Sequence, residues 1–257
     1  MQYSKYLQKI ETIICDVIKS AYPRSWVEDT ISYQICEQFR SKLASETIEG
    51  LSRPFNIQWD AFKLRGTPEN LYGDLAIVIN FHTWEGEIIR GVSFFEAKKI
   101  DFKTDKYTSY DSTQLTKQSS NLKHSNLLLY SHSSITDFED NLLLQPFVNA
   151  TRSKLKTAQT HALTVQTDVA LQVNKNDRSL YKFGTPFSHQ ICRNLRGFDL
   201  ETNHEIIKNV TGWAEDNIGG VNYLLVASVI EGEKPDEIEP QEVNDNKYEH
   251  INNGKNA

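Results

Sequence analysis

An aspartate and a Glu-Ala-Lys triplet carry the most informative chemistry in this chain of 257 residues. Asp74 opens one apolar run, and Glu96, Ala97 and Lys98 close a second run that begins at Ile88. Two carboxylates and a backbone carbonyl, here that of Ala97, form the all-oxygen donor set that Mg²⁺ or Mn²⁺ prefers. A lysine beside such an ion can orient or deprotonate a water molecule and offset charge that develops on phosphorus. The residue types therefore favour metal-dependent phosphodiester chemistry.

The two apolar runs predict an antiparallel β-hairpin that would position these residues. Residues 72–81 and 88–99 are rich in β-branched and aromatic side chains, and a polar link separates them. Side chains alternate along a strand, so Glu96 and Lys98 share one face. In a hairpin, the start of the first strand lies beside the end of the second. Asp74 is therefore expected to meet the triplet at one rim of the sheet.

A structural interpretation of the same residues competes with the catalytic one. Asp74 follows Gly73, and Gly-Asp is ordinary turn chemistry. Glu96 and Lys98 could likewise form a solvated pair at the end of a strand. Apolar neighbours such as Phe95 argue against solvation, because they bury the stretch that carries the charges. The sequence therefore favours a functional site at this rim.

At these residues the chain resembles the PD-(D/E)xK nucleases, the restriction-endonuclease-like superfamily. That family carries an aspartate at the start of one core strand and Glu-x-Lys on the next, which Asp74 and Glu96-Ala97-Lys98 match. Gly73 stands where the family's name-giving proline would be, and that proline is often missing. Over residues 25–132 the predicted elements follow the α-β-β-β-α-β core order of the family. They are a helix at 25–49, strands at 55–65, 72–81 and 88–99, a helix from 111 or 112 to about 124, and a strand at 126–131.

The resemblance implies an α/β fold in which helices flank a mixed, partly antiparallel sheet. Residues 1–230 would form a single nuclease domain with its site at one rim of the sheet. Asp74 and Glu96 would hold Mg²⁺ or Mn²⁺ with the aid of the Ala97 carbonyl, and Lys98 would position the attacking water.

Further polar residues gain a role from the resemblance. A glutamate on the first core helix often reaches the metal site in this family, and Glu28 is the best match in position. Ser25 and Glu28 also have the spacing of a capping box, and both interpretations stay open. The family often places a glutamine near the scissile phosphate on the helix after Glu-x-Lys, which indicates Gln114, with Gln118 as a support on the same face. An exposed polar face is the alternative for both glutamines, and Glu69 is a further candidate acidic ligand.

A basic and aromatic loop follows the Glu-x-Lys strand. Its side chains could hold backbone phosphates or stack a base, or they could belong to a mobile solvated loop. The candidates for nucleic-acid contact are Lys99, Lys103 and Lys106 with Tyr107 and Tyr110, and Lys117 on the next helix.

Charge is distributed unevenly along the chain. The formal net charge is −6, but residues 231–257 hold eight acidic residues against three lysines and leave the remainder nearly neutral. This segment has almost no apolar content and is expected to be a disordered acidic tail. Residues 151–198 hold eight lysines and arginines against two aspartates. That stretch is typical either of a phosphate-facing surface or of an ordinary solvated face.

The rest of the chain gives weaker signals. Helices are expected at 137–149 and 187–196, and strands at 161–173 and 221–230. The three cysteines form neither a disulfide framework nor a zinc pattern, which favours a reducing cytoplasm. No apolar run reaches the length of a membrane span, and the first residues lack the layout of a signal peptide. No membrane partner is therefore expected.

These observations predict a metal-dependent endonuclease that cuts DNA. The motif layout is most similar to nuclease modules of prokaryotic restriction and anti-phage systems. The sequence shows no ATPase, recognition or sensor motif, so control by a helicase, an ATPase, another regulatory subunit or assembly into a homo-oligomer is expected. Two alternatives stay open: a module that binds nucleic acid or a partner without cleavage, and a nuclease directed to RNA or to a nucleic-acid structure. The complete set of two carboxylates and a lysine argues against the binding module.

Overall fold

The computed structural model describes residues 1–49, 53–66, 71–83, 85–139, 158–214, 220–232 and 243–251. Within these ranges the α-helices are α1 (Tyr3–Ala21), α2 (Glu28–Lys42), α3 (Ser112–Asn121), α4 (Thr167–Val173), α5 (Phe187–Asn194) and α6 (His204–Thr211), and a 3₁₀-helix spans Arg178–Phe183. The strands are β1 (Ser45–Ile48), β2 (Phe55–Leu64), β3 (Leu75–His82), β4 (Ile88–Lys99), β5 (Ser125–Ile135), β6 (Thr160–Gln166), β7 (Thr185–Pro186), β8 (Tyr223–Glu231) and β9 (Tyr248–His250).

The strands of the described residues form one mixed sheet. Their order is β1-β2-β8-β3-β4-β5-β6-β7, and β9 pairs with the end of β2. β3 and β4 are antiparallel, as the hairpin pattern predicts, while β4 runs parallel to β5 and β3 runs parallel to β8. The expected α/β architecture, a mixed sheet flanked by helices, is therefore confirmed. The position of β8 between β2 and β3 is a long-range pairing that strand patterns do not reveal.

Apolar side chains cover both faces of β4. On one face, Phe95 and Ala97 belong to the core that contains the apolar stripes of α1 and α2. On the other face, Phe94 and Val92 pack in a second cluster with Ile207 of α6. Successive residues of a strand point to opposite faces, so β4 is buried from both sides. Charged side chains near its end are therefore withdrawn from solvent.

The first two helices form where apolar residues recur at helical spacing. α1 buries a stripe that includes Tyr6 and Ile10. α2 is shorter than the predicted helix at 25–49, because it ends at Lys42 and β1 follows. β1 pairs with β2 and buries its last residue, Ile48. Pairing with a neighbouring strand outweighs the helical pattern in this segment.

The strand predicted at 161–173 is wrong in its second half. β6 ends at Gln166, and α4 begins at the next residue. Thr167 and Ala170 are buried at helical spacing, and Asp168 lies in the first turn, where a carboxylate favours a helix start. Leu163 and Val165 in β6 and Val169, Leu171 and Val173 in α4 all stand at odd positions. This spacing of two residues continues across the boundary, so the sequence pattern hides the end of the strand.

Two other predictions in this half of the chain are confirmed, and the α-helix α6 is missed. β8 matches the strand predicted at 221–230, and α5 matches the helix predicted at 187–196. α6 is not predicted, although Asn203 caps it by accepting hydrogen bonds from the N–H groups of Glu205 and Ile206.

Part of the expected disordered tail is folded. β9 pairs with β2, and the Tyr248 hydroxyl donates to the Val210 carbonyl at 2.7 Å. Val243 and Ile251 are also buried. These apolar side chains reach the core, so the expectation of disorder is wrong for residues 243–251. Residues 233–242 and 252–257 lie outside the described residues, as does the predicted helix at 137–149 from residue 140 onward.

No helix in the described ranges is both long enough and apolar enough to cross a lipid bilayer. Cys15, Cys36 and Cys192 are all free thiols, as their spacing predicts.

Candidate active site

The β3–β4 hairpin brings Asp74 next to the end of β4. Leu75 pairs with Phe95, and Asp74 immediately precedes that pair. The Asp74 N–H donates to the Phe95 carbonyl at 3.0 Å. Farther along β4, Oδ2 of Asp74 accepts the Ala97 N–H at 2.9 Å. The structure thus places Asp74 beside the Glu-Ala-Lys triplet, as the hairpin predicts.

Gly73 enters this hairpin with a backbone conformation that proline cannot adopt. Its φ is +82°, and a Cβ at this position would lie 2.7 Å from the Phe95 carbonyl oxygen. Proline holds φ near about −65°. The absence of the family's proline therefore has a local cause, because the chain turns into β3 through a residue that only glycine fits without strain.

A third strand anchors Asp74 from a distant part of the sequence. The Asp74 carbonyl accepts the Tyr223 N–H at 3.0 Å, and Oδ1 accepts a hydrogen bond from Nδ2 of Asn222 at 3.3 Å. Asn222 directly precedes β8. Sequence analysis misses this site residue. The only signal for it was its place at the start of the strand predicted at 221–230, and strand patterns do not show which strands become neighbours.

β3 pairs with β4 only as far as Phe95. After Phe95, the backbone N–H groups on this side of β4 donate to carboxylates instead of to a neighbouring strand. The Lys99 N–H donates to Oε1 of Glu28 at 2.9 Å, much as the Ala97 N–H donates to Asp74. In a strand, the N–H and C=O of one residue point to the same side. The Ala97 carbonyl therefore lies on the side of β4 that holds Asp74 and Glu28, between the two N–H groups that those carboxylates accept. Three oxygen donors of the predicted metal set share this edge.

Glu28 does not form the capping box that its spacing allows. Val27 occupies the cap position of α2, and no side chain caps the helix. Oε1 of Glu28 accepts the Ser109 hydroxyl at 2.6 Å in addition to the backbone of β4. The next residue, Asp29, accepts the Tyr223 hydroxyl at 2.6 Å. The capping interpretation is therefore wrong, and two carboxylates tie the start of α2 to the rim.

Glu96 and Lys98 form a buried ion pair on the face of β4 that α3 covers. Only 3% of Glu96 and 5% of Lys98 is exposed, and Nζ lies 2.5 Å from Oε1 of Glu96. The other oxygen, Oε2, accepts hydrogen bonds from Nε2 of Gln114 at 2.8 Å and from Nε2 of Gln118 at 2.9 Å. Gln118 thus contacts the triplet as directly as Gln114 does. Burial excludes the alternative of a solvated pair at a strand end.

At the rim, the carboxylates of Asp74, Glu96 and Glu28 lie near one ammonium group, that of Lys98, and this shifts two pKa values. Burial, together with the Glu96 carboxylate, raises the pKa of Asp74 to about 7, although Lys98 and the Ala97 N–H oppose the shift. Burial alone would lower the pKa of Lys98, but the Glu96, Asp74 and Glu28 carboxylates outweigh burial and raise this pKa above its ordinary value. Lys98 is therefore an ammonium at neutral pH, while Asp74 is poised between its two protonation states.

The oxygen donors at the rim fit a divalent cation in chemistry and in charge. Asp74, Glu96 and the Ala97 carbonyl supply the carboxylate and carbonyl oxygens that Mg²⁺ and Mn²⁺ take. Burial raises the pKa of Asp74 most, and the Glu96 carboxylate adds negative charge that a cation would offset. No group of three or more His, Cys, Asp or Glu side chains in the described ranges is placed to hold a metal by itself. Backbone and water oxygens would therefore complete the set, as they usually do for Mg²⁺.

The loop after β4 is folded, and its two tyrosines pack inward. Tyr107 is fully buried, and its hydroxyl donates to the Tyr181 hydroxyl at 2.9 Å. Tyr110 packs against the core, and its hydroxyl donates to the Ala170 carbonyl at 3.1 Å. The expectation that Tyr107 stacks a base is therefore wrong, because its ring is withdrawn from solvent.

The lysines predicted to contact nucleic acid lie on β4, on α3 and in the loop that connects them. Lys103 and Lys106 are exposed in the loop after β4, and Lys117 is exposed on α3. Lys99 is half-buried at the end of β4. Glu69, the further candidate ligand, lies outside the described residues.

The basic stretch at 151–198 is partly paired within the protein. Nη2 of Arg178 lies 2.7 Å from Oδ1 of Asp105, and Nε of Arg193 lies 2.7 Å from Oδ2 of Asp199. Residues 151–157 lie outside the described part of the chain. The stretch is therefore not an uninterrupted row of positive charge.

A cavity of about 670 Å³ lies away from the rim. Its lining includes Asn126 of β5 and Arg193 of α5. Asn126 pairs with Phe95, so it points to the face of the sheet opposite Glu96. We place the candidate site at the rim rather than in the cavity, because the buried charges and the perturbed pKa of an acid occur together there.

Comparison of the chain with protein-family models, curated proteins and solved structures finds no match. The family resemblance therefore rests on the motif residues and on their arrangement at the rim.

Proposed function

We propose that this chain is a divalent-metal-dependent nuclease with a restriction-endonuclease-like core, and that it hydrolyses phosphodiester bonds in DNA. One observation carries the proposal: Glu96 and Lys98 are buried as a pair at the rim where Asp74 enters the sheet. Removing each charge from water costs several kcal/mol, and apolar residues of similar volume often stabilise such a position at least as well. Chemistry therefore explains the three charges better than stability does.

The order of elements around the rim supports the same proposal. From α2 to β5 the order is one helix, the strands β2, β3 and β4, the helix α3 and the strand β5. This is the α-β-β-β-α-β order of the resembling family, with the short β1 added after α2. β3 and β4 form the hairpin, α3 covers the Glu-x-Lys strand, and β5 lies beside that strand in parallel. The aspartate and the Glu-x-Lys motif thus lie at the strand ends where the resembling family carries them.

The rim residues would divide the work of hydrolysis. When bound, Mg²⁺ or Mn²⁺ would polarise the phosphodiester and lower the pKa of a water molecule. Asp74, Glu96 and the Ala97 carbonyl would hold the ion, and Gln114 would orient Glu96 through its hydrogen bond. Lys98 is an ammonium because its pKa is raised, so it would orient the water and offset developing negative charge rather than accept a proton.

A binding module without cleavage is the second candidate, and one observation favours it. The Glu96 carboxylate already accepts hydrogen bonds from Lys98, Gln114 and Gln118. A carboxylate with this many partners can serve as a fixed structural ion. A nuclease directed to RNA or to a particular nucleic-acid structure would use the same site as the main proposal.

Control of the nuclease belongs to the same proposal. The motif layout is most similar to nuclease modules of prokaryotic restriction and anti-phage systems, and the sequence shows no ATPase or sensor motif. We therefore infer that a helicase, an ATPase, another regulatory subunit or assembly into a homo-oligomer triggers cleavage. Full activity of the purified chain without any added factor would contradict the inference about control, but not the proposed nuclease activity.

A plasmid-nicking assay in Mg²⁺, Mn²⁺ or EDTA tests the main proposal. Wild type is compared with Asp74→Asn and Lys98→Met, and with Asp16→Asn, which removes an exposed carboxylate from α1. We expect metal-dependent cleavage that falls at least about a hundredfold in either rim variant, because each removes a group that acts on the transition state. The Asp16 variant should cleave like wild type.

Calorimetric titration of Mn²⁺ into the same proteins separates a latent nuclease from a binding module. A latent nuclease binds the metal at the rim and loses that binding in Asp74→Asn. DNA binding without metal binding would favour the module. Cleavage that survives both rim substitutions would show that the catalytic site lies elsewhere. Parallel assays on RNA distinguish a nuclease that cuts DNA from one that cuts RNA.

A further inference from the structure

Four aromatic side chains gather next to the rim, and we call them the aromatic patch: Tyr22, Trp26, Phe102 and His132. The Tyr22 ring stacks on His132, with centroids 4.8 Å apart and an angle of 17° between the planes. Its centroid also lies 5.7 Å from that of Trp26 and 6.3 Å from that of Phe102, both in edge-on geometry. Three separate segments therefore contribute rings to one surface.

One ring of the aromatic patch, that of Trp26, is buried, and two rings, those of Tyr22 and Phe102, are exposed to solvent. Trp26 is 7% exposed, and its Nε1 donates to the Ile100 carbonyl at 2.8 Å. Tyr22 is 36% exposed and Phe102 is 52% exposed. Trp26 is therefore fixed to the backbone at the end of β4, while Tyr22 and Phe102 each keep ring surface open to solvent.

The patch lies at the end of the strand that carries the candidate catalytic residues. Ile100, which accepts the Trp26 hydrogen bond, follows Lys98 by two residues, a distance of about 7 Å along a strand. Glu28, two residues after Trp26, bonds to the backbone of Lys99. A nucleic-acid strand that leaves the rim in this direction would pass over the exposed rings.

Positive charge accompanies the exposed rings. Nζ of Lys103 lies 5.8 Å from the centroid of the Phe102 ring. Lys106 is exposed in the same loop, and Lys99 lies at its start. Rings that offer a stacking surface and ammonium groups that attract phosphates are the combination by which proteins hold single-stranded nucleic acid.

We propose that the aromatic patch stacks one or two unpaired bases of DNA, and that the nuclease therefore prefers single-stranded or locally unpaired DNA. The proposal rests on the function proposed above and names its substrate class. Bases in a duplex are stacked on their neighbours and offer no open face to Tyr22 or Phe102, whereas unpaired bases do.

Fluorescence anisotropy in EDTA tests the proposal without cleavage. Labelled oligothymidine is compared with an oligonucleotide of equal length that lacks bases, and with a duplex. Wild type should bind oligothymidine most tightly, and Phe102→Ala should weaken that binding about tenfold while leaving the abasic strand unaffected. Phe102→Tyr, which keeps a ring, should bind like wild type.

Two further variants act as controls for this experiment. Phe55→Ala removes a ring that is 38% exposed at the opposite end of the sheet, next to Glu231, and should change nothing. Lys103→Met should weaken the base-containing and the abasic strands equally, because it contacts phosphate. Equal binding of both strands by wild type, or unchanged binding by Phe102→Ala, would overturn the proposal. If base-dependent binding occurs but no metal supports cleavage, only the nuclease proposal fails.

Discussion

The two ends of the β3–β4 hairpin reverse the usual relation between polarity and burial. At the rim, the charged Glu96 and Lys98 are 3% and 5% exposed, whereas Ile88 and Ile89 at the turn are 37% and 53% exposed. The strands are the same, so the difference comes from what surrounds each end. Asp74 and the glutamines of α3 enclose the rim, while the turn meets solvent. Scattered exposed apolar residues are normal, but buried charges require partners and usually mark a functional site.

The largest effect on stability is expected from breaking the buried ion pair. Lys98→Met leaves Glu96 buried without its counter-ion and should lower the free energy of unfolding by about 3–5 kcal/mol. Arg178→Met removes the cation of an exposed pair with Asp105 and should cost about 0–1 kcal/mol. Urea unfolding of both variants measures the difference.

A double variant sharpens this test. Glu96→Leu combined with Lys98→Met removes both charges and should recover much of the lost stability, since an apolar pair can replace a buried ion pair. Equal losses in the Lys98 and Arg178 variants would show that the rim pair is no more strongly desolvated than a surface pair.

A smaller effect is expected from the glycines at the two ends of the hairpin. Gly73 and Gly86 have similar φ values of +82° and +87°, but only at Gly73 would a Cβ meet backbone, 2.7 Å from the Phe95 oxygen. Gly86→Ala should cost about 1–2 kcal/mol through the left-handed conformation alone. Gly73→Ala should cost more and should also reduce the proposed nuclease activity, because it displaces Asp74. Thermal unfolding and plasmid nicking of the two variants measure these effects. Equal losses of stability in Gly73→Ala and Gly86→Ala would contradict the close approach of residue 73 to the Phe95 carbonyl oxygen.

The smallest effect is a pH dependence of stability at Asp74. Its pKa is raised from 3.8 to about 7 in the folded protein, so folding favours the protonated acid. This stabilisation is complete below the ordinary pKa and is lost as the pH rises to about 7. Asp74→Asn should therefore gain stability over wild type, by a few degrees in Tm, as the pH rises from about 4.5 to about 7 in EDTA.

Asp101 supplies the control for that titration. Hydrogen bonds from the Thr104 backbone and side chain lower the pKa of this exposed carboxyl, so it is ionised throughout the same pH range. Asp101→Asn should show no change in relative Tm between about pH 4.5 and 7. A flat profile for Asp74→Asn would mean that neither burial nor the Glu96 charge raises the pKa of Asp74.

Local pattern was sufficient for the hairpin that carries the site. Runs of β-branched and aromatic residues predicted β3 and β4, and the two-residue period of a strand placed Glu96 and Lys98 on one face. The spacing of Gln114 and Gln118 likewise predicted a shared helical face, and both reach Glu96. These relations hold because they depend on residues close together in the chain.

Relations between distant segments could not be read in this way. Asn222 reaches Asp74 only because β8 lies beside β3, and Tyr248 is buried only because β9 pairs with β2. The segment at 161–173 was compatible with either a strand or a helix until packing chose between them. Glu28 had the spacing of a cap, yet the backbone of β4 offered it a different partner.

By itself, the sequence determined which charged residues share a strand face and that an aspartate begins the neighbouring strand. Only the tertiary structure decided that this rim is buried, that Glu28 and Asn222 join it, and that exposed rings of Tyr22 and Phe102 lie at its side. The physical reason is that periodicity specifies the direction of a side chain, whereas burial and pKa depend on the segments that pack against it. Those segments are brought together by strand order, which a local pattern does not encode.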